Sequence, residues 1–121
     1  MSRSILVVDD IAANRNLLGA TLEPHGYEVL RFNHMRGKSP ASYSILTAED
    51  MIKAIKSIDG DDIEAIVQFG ANLPMARLAD EAERWLGKPV ISVNVATYWH
   101  ALRMNGINDK MYGFTKLMSQ F

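Results

Sequence analysis

The sequence predicts an α/β fold: an open parallel sheet of four strands in the order 2-1-3-4, with helices on both faces. Two observations lead there. Short apolar runs rich in β-branched residues recur at "SILVVD", "YEVLRF", "IEAIVQF" and "PVISVN", and stretches of helical spacing lie between them. Strands separated by helices run parallel and are joined by right-handed crossovers. Such a sheet is covered on both faces.

The elements follow in order. Residues 4–9 form the first strand. Residues 11–23 carry Ile11, Leu17, Leu18, Thr21 and Leu22 as a helical stripe, which Pro24 and Gly26 stop. Residues 27–32 alternate as a strand. "NHMRGKSPASYS" (33–44) reads as a long loop, with its Gly, Pro and Ser residues. Thr47 and Asp50 have the spacing of a capping box, and the helix over 48–58 buries Met51, Ile52, Ile55 and Ile58. Residues 63–69 form the third strand. The next helix has Pro74 in its first turn and Gly87 past its end, with Met75, Leu78, Ala79, Ala82, Trp85 and Leu86 along one face. Residues 89–94 form the fourth strand. "ATYWHALRM" is a helix ending near Asn105 and Gly106, with Trp99 at its start packing into the core beside Leu102. Phe114, Leu117, Met118 and Phe121 have the spacing of a short last helix that folds back on the domain.

Length and composition narrow the function. The chain has 121 residues, which suits one compact domain over 1–121, and a formal net charge of −1 with no basic block. Nucleic acid is therefore not an expected partner. No apolar run reaches the roughly 18 residues of a membrane span, and the N-terminal apolar run is too short for a signal peptide. A cytoplasmic location is expected. Cysteine is absent, which excludes disulfides, thiolate metal sites and thiol nucleophiles.

In parallel sheets, ligands bind where the strands end at their carboxyl side. Here those ends hold Asp9 and Asp10, Asn33 and His34, Phe69 to Asn72, and Asn94 to Thr97. Asp9 and Asp10 offer two hard oxygen ligands for a weak Mg²⁺ site. The competing reading is two solvated or helix-capping acids, since adjacent acids at a sheet mouth are ordinary polar loop residues. "GAN" (Gly70, Ala71, Asn72) and "NVAT" (Asn94, Ala96, Thr97) each lie between a strand and a helix start, where backbone N–H groups and the helix dipole favour an anion. The competing reading is plain capping by Asn72 and Thr97. His25, His34 and His100 lack metal-ligand spacing. No residue is expected to be catalytic, and no cofactor is expected beyond an adventitious Mg²⁺ or anion.

"ILVVDDIAANRNLLGATLEPHGYEVL" resembles the start of a response-regulator receiver domain. That resemblance implies a divalent metal on the acidic pair and phosphoryl transfer to a further Asp ending the third strand. The third strand instead ends in "VQFGANLP", and the fourth ends at Asn94 where a Thr or Ser is expected. From about residue 31 the chain resembles something else. "DDIEAIVQFGANLPMARLADEAERWLGKPVISVNVATYWHALRMNGI" is similar to the C-terminal half of maleate cis-trans isomerases, in the aspartate/glutamate racemase and arylmalonate decarboxylase superfamily. That resemblance implies a flavodoxin-like fold, loops that hold substrate carboxylates, a site between two similar domains, and cysteine chemistry.

The change of resemblance near Leu30 to Asn33 implies an engineered chimera, 1–30 from one fold and 31–121 from the other, with no evolved catalytic activity. Two alternatives stand beside it: a degenerate receiver-like module binding metal or phosphate, and an isomerase- or racemase-like domain retaining weak dicarboxylate binding. A single domain's worth of such an enzyme also implies an uncovered surface, and with it a possible homodimer.

Overall fold

A computed structural model describes residues 3–9, 13–34, 46–71 and 73–121. The elements are β1 (Arg3–Asp9), α1 (Ala13–Leu22), β2 (Tyr27–His34), α2 (Ala48–Ile58), β3 (Ala65–Gln68), α3 (Ala76–Leu86), β4 (Val90–Ser92), α4 (Val93–Met104) and α5 (Thr115–Gln120), with a 3-10 turn at Glu23–His25 between α1 and β2. All pairings described are parallel, and the strands lie in the order β2-β1-β3-β4. β1 thus pairs with β2 on one side and with β3 on the other, in one sheet.

Alternation along β3 sends neighbouring residues to opposite sides. Ile66 joins Met51, Ile55, Met75, Leu78, Ala79 and Ala82, so α2 and α3 share one core with it. Ala65 and Val67 pack instead around Leu18 of α1, with Tyr27 and Val29 of β2. Ile55 and Ile66 are fully buried, and each contributes about 1.5–3 kcal/mol by leaving water. The β1–β2 register shifts between Ile5 and Leu6, which pair with Val29 and Arg31. Leu30 is the extra residue of this bulge. It packs with the α2–α3 core, and Arg31 reaches the Ile58 carbonyl and the Asp62 carboxylate. A bulge lets two successive side chains serve nearly the same side.

The capping box forms at the start of α2: Thr47 Oγ1 accepts from the Asp50 amide, and an Asp50 oxygen accepts from the Thr47 amide. Gly87 closes α3 in the left-handed region at φ 71°, where a residue with a Cβ is strained. Pro74 lies ahead of α3 rather than in its first turn, because the helix starts at Ala76 with Met75 as its N-cap. Trp85 is not in the core. It is 42% exposed and the Lys56 ammonium lies 5.6 Å from its ring centre, a cation–π contact joining α2 to α3. On α1, Leu17 is likewise exposed, and Ile11 lies outside the described residues.

The tail returns to the body. Thr115 and Met118 are buried, and two α3 carboxylates hold the start of α5: Asp80 Oδ1 accepts from the Thr115 amide at 2.9 Å, and Glu83 Oε2 from the Lys116 amide at 2.9 Å. The other Glu83 oxygen accepts from the Val90 amide at 3.2 Å. One buried carboxylate thus satisfies amides of the edge strand and of the last helix. Arg103 adds bonds to the carbonyls of Ile107, Asp109 and Phe121.

No helix among the described residues is long and apolar enough to cross a membrane.

Candidate functional site

The carboxyl ends of the strands set the candidate site. Asp9 ends β1 opposite His34, the last residue of β2, and Val8 is level with Gln68, the last residue of β3. Asp9 therefore stands on the backbone beside the segment that leaves β3. Asp10 and Asn72 lie outside the described residues.

The β4–α4 junction differs from the sequence expectation. β4 stops at Ser92 and α4 starts at Val93, with no loop between. Asn94, Ala96 and Thr97 therefore belong to the first turns of the helix and not to a loop ahead of it. Thr97 does not cap orphan amides, since its hydroxyl donates to the Val93 carbonyl at 2.7 Å. Trp99 sits in mid-helix, part-buried, with its indole Nε1 buried and without a partner.

A buried polar pair lies at this junction. Gln68 and Ser92 are both fully buried. The Ser92 hydroxyl donates to Gln68 Oε1 at 3.2 Å, and Gln68 Nε2 donates to the Gly70 carbonyl. Ser92 holds the N-cap position of α4, yet its hydroxyl is spent on Gln68, and no side chain caps the helix. Met75 at the start of α3 supplies no side-chain cap either. Two helix starts thus face the strand ends with no side-chain oxygen on their first amides, where the dipole favours negative charge.

Asn94 ties these parts together. Its Nδ2 donates to the Ala71 carbonyl at 3.1 Å, linking the segment after β3 to the first turn of α4. Gly70, Ala71 and Asn94 are thus brought together, and Thr97 lies one turn along the same helix. Beside them is a cavity of about 450 Å³ lined by Ala76, Asn94, Val95, Tyr98, Met111, Phe114 and Met118. Its walls are mostly apolar. Sequence reasoning missed the part played by the tail, whose Met111, Phe114 and Met118 form one wall. The Met- and Phe-rich composition of the tail was the available signal.

Among the described residues no group of three or more His, Cys, Asp or Glu side chains could hold a metal ion. His25 and His100 are exposed, and His34 ends β2.

No protein-family model matches the chain, and no curated protein matches it. Solved structures do. A glycine-to-cysteine variant of arylmalonate decarboxylase in a sulfate-associated form is 21% identical with a TM-score of 0.81, over 96% of this chain and 52% of that one. The maleate cis-trans isomerase of Nocardia farcinica bound to Tris is 23% identical with a TM-score of 0.85, over 98% and 49%. The maleate isomerase of Pseudomonas putida S16 is 23% identical with a TM-score of 0.83, over 98% and 48%. The chain spans about half the length of each of these proteins.

These likenesses show the fold, and they correct the expectation of a chimera. A single likeness runs over 96–99% of the chain and so crosses Leu30 to Asn33, where a seam is expected. None of the structures described above is a receiver domain. An apolar first strand ending in polar residues at the sheet mouth is common to parallel α/β sheets, which is why "ILVVDD" reads as either fold. The reading as a recombined chain without activity is overturned on the same ground.

Proposed function

We propose that residues 1–121 form one flavodoxin-like α/β unit that holds a small dicarboxylate at the carboxyl end of its sheet, as the carboxylate-binding half of an isomerase- or racemase-like site. The observation that carries this reading is the pair of uncapped helix starts at α3 and α4, with the Asn94–Ala71 hydrogen bond joining the segment after β3 to the first turn of α4. Backbone amides there attract a carboxylate without any lysine or arginine. Gly70, Ala71, Asn94, Ala96 and Thr97 are the contacts proposed. The fold likeness to maleate isomerases supports the ligand class.

The Nocardia farcinica enzyme is also known with a covalently bound succinylcysteine intermediate. This chain has no cysteine, so a thiol adduct is not open to it. Its own contribution is to bind and orient the carboxylates, a role that needs no cofactor.

Thermal unfolding with added maleate tests the proposal. Maleate at ten times its dissociation constant should raise stability by about 1.4 kcal/mol. Asn94→Asp should abolish the shift by placing a negative charge at the start of α4. An equal shift from chloride at matched ionic strength, or none from maleate at any concentration, would overturn it.

A further inference from the structure

We infer that residues 107–121 form a strap that opens ahead of the rest of the domain and gates the cavity beside α4, with its spring at Thr115. Three of the seven residues lining that cavity, Met111, Phe114 and Met118, belong to the strap. The others come from α3 (Ala76) and α4 (Asn94, Val95 and Tyr98). One wall can therefore leave while both helices stay on the sheet. The strap moves as one piece, because its two limbs are tied together. The Met111 amide donates to the Met118 carbonyl at 3.1 Å, and the Lys110 ammonium to the Gln120 carbonyl at 3.4 Å.

Thr115 carries two unfavourable features in the closed strap. Its φ is 72°, and among the described residues it is the one residue other than glycine with a positive φ. A β-branched residue is an outlier there, and the surroundings must hold it in place. Thr115 is also 2% exposed, and its hydroxyl is buried without a hydrogen-bond partner. Such a hydroxyl forfeits the bonds that water would give it. Opening relieves both features at once: the backbone angle is freed and water reaches the oxygen.

The strap is held shut mostly by polar fastenings. Asp80 and Glu83 of α3 accept from the Thr115 and Lys116 amides, and Arg103 of α4 donates to the carbonyls of Ile107, Asp109 and Phe121. Of residues 107–121, Thr115 and Met118 are the buried ones. A segment with little buried apolar surface lies at the low end of local stability. Its pivot is Gly106, just past the end of α4, at φ 72° with open space where a Cβ would stand. A molecule in the cavity touches strap and helices together, and so favours the closed form. The inference stands whether or not the chain binds a carboxylate.

The chain has no cysteine, so a single introduced thiol reports the opening. Met118 is 1% exposed on the cavity wall, and Ile66 is fully buried in β3. Under native conditions Met118→Cys should react with iodoacetamide at least about 100-fold faster than Ile66→Cys. Adding Thr115→Gly to Met118→Cys should slow the reaction about fivefold or more, by removing the strain and the unpaired hydroxyl. Adding Asp80→Ala instead should speed it about fivefold, by removing a fastening. Hydrogen exchange of the unsubstituted chain gives a second readout that no substitution can disturb. The α5 amides should exchange about 100-fold faster than those of β3. Exchange at one common rate in α5 and β3 would overturn the inference. So would equal labelling of the two thiols, or labelling of Met118→Cys that responds to neither Thr115→Gly nor Asp80→Ala.

Discussion

α3 and α4 follow neighbouring strands of the same sheet, β3 and β4, and they are built on different plans. α3 puts Met75, Leu78, Ala79 and Ala82 inward and keeps Arg77, Glu81 and Arg84 in water. Its charged residues also work, since Asp80 and Glu83 hold the start of α5. α4 has no such division. Its inner side buries Val95, and its outer side shows Tyr98 and Met104 to solvent. A helix whose sequence matches its surroundings needs nothing more than its own chain. In α4 those two large apolar side chains stand in water beside Asn94, Thr97 and His100.

That contrast can be tested by substitution, beginning with the largest effect. Met75→Ala empties a fully buried position at the start of α3 and should cost about 2–5 kcal/mol in denaturant unfolding. Met104→Ser should stay within about 0.5 kcal/mol because the side chain is already in water. Equal losses would erase the difference between the helices. Glu83→Gln comes next. An amide cannot accept from both the Val90 and the Lys116 N–H as the carboxylate does. One buried donor is then left unsatisfied, at about 1–3 kcal/mol, and amide exchange should quicken in both β4 and α5. Loss of protection in only one of them would show that the carboxylate does not couple tail and edge.

The smallest effects belong to the side that is complete. Thr47→Ala removes the α2 cap and should cost about 1 kcal/mol. The Arg31 guanidinium bonded to Asp62 holds that carboxyl below its ordinary range, and at Asp50 the hydrogen bonds from the Thr47 backbone and hydroxyl do the same. Both values are depressed in the folded chain, so the unfolded chain takes up protons first as pH falls. This stabilisation is fully present above the ordinary carboxylate value of about 3.9 and is lost as pH falls through the folded values. Asp62→Asn should flatten part of that acid limb in a stability–pH profile. Both carboxylates are exposed, so the change is small.

Much of the fold is legible in the residues. The capping box at Thr47 and the stop at Gly87 are local signals, and local hydrogen bonding and backbone conformation realise them. The misreadings have tertiary causes. Each helical residue advances about 100°, so Trp85 falls about 80° from Met75, at the margin of the stripe and in reach of Lys56. The strand at "PVISVN" reads two residues too long at its C-terminal end because Val93 and Asn94 continue its β-branched and polar alternation. The end of β4 at Ser92 is set by its backbone pairing with Gln68 of β3, a residue far off in sequence, where the two side chains also bond. The candidate site is legible as a place, the carboxyl ends of the strands, but not in its detail. The roles of Asn94 and Thr97 depend on a helix start that no turn residue announces, and the wall formed by Met111, Phe114 and Met118 depends on how the tail returns.

The direct join of Ser92 to Val93 has a mechanical meaning. A helix that leaves its strand without intervening residues has no hinge, because a change of backbone angle at the junction would disturb a strand pairing or the buried Gln68–Ser92 bond. α4 is therefore a rigid bracket fixed to the sheet. Adjustment to a guest molecule falls to the opposite side, where Gly70 and Ala71 lie between elements and the Asn94 amide bonds the Ala71 carbonyl.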